Sequence, residues 1–261
     1  MGLFVHEDSY YDPDVRQMGF NRYKQLLSWH AFSWIKLNLL TVLGALPLAV
    51  GIGSAILSSS VLVLIPFSVL GGMIWGPFLA GLYDGILRGL RDAPTPWWTS
   101  WRKSWRQNGR ESLLPGALLG LLLGMNAFMA ALFWWSAVPQ TPGTLALYLF
   151  SSTLLLLLNT LYWPQLVLFR QTALNRMRNI ILFTAKYFWR VAGVTLLQLV
   201  YILIYVFLAP WTLLLIPLLG LWYITFLSQL LIYDQMDQEL GIEEQFQVSY
   251  AESRPSSRIG S

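Results

Sequence analysis

The sequence predicts an all-α membrane protein: a polytopic membrane helical bundle of six transmembrane helices in three hairpins, joined by cytoplasmic interfacial amphipathic helices. Three observations carry this. First, 56% of the 261 residues are hydrophobic and 11% are charged. Soluble domains carry roughly 25% charged residues, so this chain cannot cover a globule of its length with solvated surface. Second, the tracts 37–83, 112–169 and 191–233 contain no Asp, Glu, Lys or Arg. Each is long enough for two spans of about 20 residues and a short connector. Third, all formal charge lies between or beyond these tracts. Each tract therefore reads as a hairpin that dips to the far side and returns.

The loop charges orient the hairpins. Segment 88–110 carries six basic residues and one acidic, and segment 170–190 carries five basic and none acidic. Lys and Arg in short loops mark the cytoplasmic side, and by parity both termini lie there too. The expected organisation is a cytoplasmic or interfacial arm at 1–30, a six-span membrane domain at 31–234, and an acidic, partly disordered cytoplasmic tail at 235–261.

The first tract is the hardest to divide. Pro47, Gly51, Gly53, Ser58 to Ser60, Pro66 and the Gly71-Gly72 pair cut it into three apolar pieces. Three spans would push a basic loop outside. We therefore expect two spans plus a bent or re-entrant piece around 56–69, where non-helical backbone must be buried or line a wet cavity. The second hairpin is expected to turn at "SAVPQTPGT", 136–144, and the third at "LAPW", 208–211; both are uncharged and contain breakers. Gly116, Gly120 and Gly124, at spacing four, predict close helix packing. The acidic turns after Tyr233 should prolong the last span as a helix, with disorder expected after about residue 247. Residues 1–15 are expected to form a mobile or surface-lying arm.

Between the first two hairpins lies "WWTSWRKSWRQNGRE", 97–111, with four tryptophans and four basic residues. Thr95 is a plausible N-cap, and Pro96 suits the first helical position. At spacing four, Trp97, Trp101 and Trp105 form one stripe, and Arg102, Arg106 and Arg110 form the next. An in-plane interfacial helix accounts for both. The indoles would sit at headgroup depth, and the guanidiniums would meet anionic inner-leaflet lipid. Stacking on nucleic acid would require the same rings to face the cytosol, so no nucleic-acid partner is expected. Docking of a partner protein on the polar face stays open.

Little here resembles reaction chemistry. There is no cysteine, and His6 and His30 are far apart. No phosphate-cradling glycine pattern and no nucleophile beside a base is found. No catalytic residue, metal site or cofactor is expected, and the protein reads as a non-enzyme. Asp84 is the acid closest to a span, with Arg88 four residues on and Lys36 at similar depth. These three are expected to form an ion pair at the inner edge. Proton or ion coupling is the alternative, weakened because no acid lies near the midplane. Asn126, Asn159, Gln165 and Gln198 lie within the spans, with Asn38 and Gln229. They serve either as interhelical hydrogen-bond formers or, for the first four, as the lining of a polar cavity.

Several stretches in order resemble the YesL-like family of bacterial membrane proteins, a domain of unknown function. These are "KLNLL" with "LGALPL", "GPFLAGLYDGILRGLRD" and "WWTSWRKSWRQNGRESLLPG". The likeness covers most of 20–235 and is specific across 36–116; the apolar piece between Gly53 and Gly71 departs from the shorter members. The resemblance implies a Gram-positive type plasma membrane and an association with carbohydrate uptake. On that basis the expected function is an accessory or regulatory component of a transport system, with an ABC-type sugar transporter or another membrane protein as partner. The alternative is a small-solute transporter or channel in its own right. The resemblance carries over no site residues.

Overall fold

A computed structural model describes residues 19–93, 96–135 and 139–245. The N-cap expected at Thr95, the arm at 1–15 and the tail after 247 lie outside the described residues.

All regular structure in the described residues is helical. Helix α1 is Gly19–Leu57, α2 Val61–Leu90, α3 Trp97–Trp134 and α4 Pro142–Leu168. After them come α5 (Ala173–Lys186), α6 (Phe188–Phe207), a 3-10 turn at Trp211–Leu215, and α7 (Ile216–Leu240). Six of these segments are long and apolar enough to cross a membrane; α5 is the short amphipathic exception. The protein is an all-α polytopic bundle.

The first tract is simpler than expected. Its turn is Ser58 to Ser60, with Ser59 at φ 49° and the Ser60 amide donating to the Ala55 carbonyl at 3.0 Å. No re-entrant piece forms: residues 61–69 are the opening turns of α2. Pro47 and Pro66 sit inside helices. A bilayer offers a freed backbone group no water, so helix persists through residues that would end it in solution.

The glycines of the first tract are contact points. Cβ atoms built on Gly71 and Gly44 would strike Leu48 of α1 and Phe78 of α2. The tightest seam joins α2 to α3. Ser68, Gly72 and Gly76 of α2 lie buried against Ser112, Gly116, Gly120 and Gly124 of α3. A Cβ at Gly116 would come 2.8 Å from the Gly76 Cα, and one at Gly120 would come 2.6 Å from the Gly72 Cα. The close packing expected of the 116–124 stripe is therefore present, with a matching stripe on α2.

Helix α3 runs unbroken from Trp97 to Trp134. The separate in-plane helix expected at 97–110 is thus the first turns of a span. The small-residue face explains this: it continues back through Ser112, Ser104 and Ser100, all buried, so the close contact with α2 extends beyond the apolar tract. At 1.5 Å per residue α3 is about 57 Å long and α1 about 58 Å, nearly twice a bilayer core of about 30 Å. Both prolong the bundle at its charged end. Residues 19–30, expected to belong to an arm, are the beginning of α1.

The third hairpin is offset. Buried Asn38 of α1 donates to the carbonyls of Ile216 and Pro217 at 2.9 and 2.7 Å, and accepts the amides of Leu221 and Trp222 at 2.9 and 3.1 Å. One side chain of α1 thereby bridges two carbonyls and two amides in the first turns of α7. The Tyr201 hydroxyl of α6 donates to Leu219 and Gly220 at the same height. From there the tip at 208–212 is roughly 10–15 Å away, whereas α1 continues for about 28 Å to Leu57. The tip expected on the far side with 136–144 therefore stops about half-way between Asn38 and Leu57.

Candidate functional site

The polar chemistry gathers at the charged end. Asp84, 4% exposed, closes the small-residue face of α2. It accepts Arg88 Nε at 2.8 Å and the Ser100 hydroxyl of α3 at 3.2 Å. Two of the three residues expected at the inner-edge ion pair therefore meet. Lys36 does not join them. Its ammonium lies 4.2 Å from the Phe32 ring centroid and 5.3 Å from that of Trp97, a cation–π arrangement. The reason is local: Phe32 is one turn back on α1, and Arg88 already occupies Asp84.

The tryptophans are less lipid-facing than expected. Trp101 packs on Phe78 of α2 at 5.8 Å between centroids, and Trp105 meets the same ring edge-on at 4.6 Å. A Cβ at Gly81 would strike the Trp101 indole. Trp97, Trp101 and Trp105 are half-buried as one wall of the α2–α3 joint, and Trp98 stays exposed. Arg102, Arg106 and Arg110 are exposed along α3.

Three ion pairs tie distant segments together, and no local spacing signals them. Buried Arg22 donates to Asp92 at 2.6 Å and to the Leu90 carbonyl at 3.1 Å, clamping the start of α1 to the end of α2. Arg176 of α5, 3% exposed, donates to Glu111 of α3 at 2.6 Å. Lys186 and Tyr187 both donate to Glu239, which docks the acidic end of α7 on the α5–α6 junction. The neighbouring Glu239 carboxylate holds the Lys186 pKa above its ordinary value.

The four amides with two expected roles, helix-to-helix hydrogen bonding or a polar cavity lining, divide between them. Gln198 donates to the hydroxyls of Thr160 and Ser228 at 2.6 and 2.8 Å, joining α6 to α4 and α7. Gln229, on α7, donates to the Thr160 carbonyl at 2.9 Å. Asn159 meets the Tyr83 hydroxyl at 3.3 Å. Asn126 accepts Ser151 and Ser152 at 3.2 and 2.8 Å. These are interhelical hydrogen bonds. Gln165 differs: it lines a cleft of about 580 Å³ beneath α5, with Leu161, Asn179, Phe183, Lys186 and Glu239. Its Oε1 is buried and has no partner among the described residues.

Among the described residues no His, Cys, Asp or Glu cluster could hold a metal ion. No family model, curated protein or solved structure matches the chain.

Proposed function

We propose that this protein is a non-enzymatic integral membrane protein of a bacterial plasma membrane that assists or regulates a transport system. Its termini are cytoplasmic by the loop-charge rule. The carrying observation is where polar groups are committed. In the bundle interior, Asn38, Asn126, Asn159 and Gln198 bond helix to helix. Exposed cations lie at the charged end, along 102–110. That end would meet a partner subunit and acidic lipid. The resemblance across 36–116 to the YesL-like family supplies carbohydrate uptake as the setting and an ABC-type importer as the partner class.

A second reading, a small-solute carrier or channel, draws on the Gln165 cleft. One pair of measurements separates the two. Purified protein in liposomes should show no solute flux and no hydrolysis, while deletion should alter the rate or regulation of a sugar importer in the native membrane. Saturable, substrate-specific uptake by the protein alone would overturn the accessory reading and make Gln165 the first residue to substitute.

A further inference from the structure

A second hollow, of about 230 Å³, opens at the charged end where α2 and α4 finish beside the first turns of α3. Arg88, Arg91, Lys103 and Arg170 supply its cations, and Asp84 and Glu111 its carboxylates. Both carboxylates are already paired. Asp84 holds Arg88 and Ser100. Glu111 holds Arg176 from behind, and Arg176 Nε is itself buried without a partner. Lys103 and Arg170, both exposed, have no acceptor among the described residues. Lys103 of α3 and Arg170, two residues past the end of α4, thus face one hollow beside Arg88 and Arg91, and both carboxylates of the hollow are already paired. Such an arrangement repels itself until an anion enters.

The geometry points to the anion. Guanidinium forks bind phosphate oxygens in bidentate fashion, and a lysine adds a mobile point charge. The Gln107 amide on the same wall adds a neutral N–H donor. The volume is below the roughly 300–1,000 Å³ of pockets for drug-sized ligands, so one phosphate with a small substituent fits. The hollow also lies at the last residues of the charge-free tract 112–169, the height at which a bilayer places its phosphates. We propose that this hollow is a phosphate-binding site. Its ligand is the headgroup of an acidic phospholipid or the phosphate of a small soluble ester. This site stands apart from the Arg102, Arg106 and Arg110 stripe and does not depend on the accessory reading.

The test uses the full chain in nanodiscs. In phosphatidylcholine discs, glycerol 3-phosphate is titrated against chloride at equal ionic strength, and the melting shift is read. In discs containing phosphatidylglycerol, lipid retained on the protein is counted by native mass spectrometry. A saturable shift in the first arm assigns a soluble ligand, and selective phosphatidylglycerol retention in the second assigns a lipid. In whichever arm binds, Lys103→Gln with Arg170→Gln should weaken binding by about tenfold or more, while Arg102→Gln with Arg110→Gln should leave it unchanged. All four substitutions replace exposed side chains, and the melting curve without ligand checks that the fold survives. Binding in neither arm, or equal binding by the Lys103 and Arg170 double variant, overturns the assignment.

Discussion

Adding one methyl group at Gly116 tests the packing account most directly. An alanine there would place its Cβ 2.5 Å from the Gly72 carbonyl oxygen and 2.8 Å from the Gly76 Cα. Ordinary contact begins near 3.4 Å, so the helices must part by roughly 0.6–0.9 Å. Neither obstacle is a flexible side chain that can swing away. Overpacking of this kind costs about 1–3 kcal/mol. Alanine recovers about 0.8–1.0 kcal/mol through helix propensity. The net expectation for Gly116→Ala is a loss of up to about 2 kcal/mol, or up to roughly 8 °C in Tm for a chain of this size. Gly109, on the same helix, has nothing within 4 Å of a built Cβ. Gly109→Ala should keep only the propensity gain and melt slightly higher than wild type. Melting in one mild detergent, followed by tryptophan fluorescence, compares the two. If both variants move in the same direction, or Gly116→Ala melts at or above wild type, the seam is not the tight contact argued here.

Three further outcomes follow from the same geometry. Single cysteines at Thr99, Gln140 and Leu213, all exposed in the fold, should label differently in intact cells: an impermeant maleimide reaches position 140 alone, and position 213 stays unlabelled from either face because the third hairpin's tip stops half-way. Labelling at 213 from the outside would refute the offset. Arg22→Ala leaves Asp92 buried without its guanidinium and should cost about 3–5 kcal/mol; a loss under about 1 kcal/mol in a chemical denaturation series would make that clamp incidental. Gln198→Leu removes the bonds to Thr160 and Ser228 and should cost about 1 kcal/mol, with importer activity in cells unchanged. A large effect on transport without a loss of stability would move Gln198 from structure to solute path.

The span map was legible because the bilayer makes charge placement nearly binary: a formal charge in the hydrocarbon is so costly that its absence outlines each hairpin. The division of the first tract was not legible by the rules used in water. Pro47, Pro66 and the Gly71-Gly72 pair read as breaks alongside Ser58 to Ser60, yet they lie in continuous helix, and only the serines, with neither Pro nor Gly, make the turn. The three long-range ion pairs had no sequence signal at all, since each joins residues more than fifty positions apart.

The charged end of the α2–α3 joint was half legible, and the missing half could be reasoned out. Gly116, Gly120 and Gly124 were read as one stripe and the tryptophans as another, but the buried line on α3 extends at spacing four from Ser100 through Ser104 and Ser112 to Gly124. On α2 the corresponding line is Ser68, Gly72, Gly76, Ala80 and Asp84. Two antiparallel helices with such faces can approach closely only if small residues meet along the whole contact. Followed to their ends, the lines bring Asp84 to the buried serines of α3, where Ser100 donates to it. A carboxylate at that position needs short hydroxyl neighbours, because a larger side chain would force the helices apart, and an apolar one would leave the acid without a donor at that buried surface. Trp101, one position beyond Ser100, then has to lie beside the seam on Phe78 and Gly81. The tryptophan-rich stretch therefore owes its location to the seam: its small residues keep α3 against α2, its indoles close the edge of the joint, and its arginines are left facing outward.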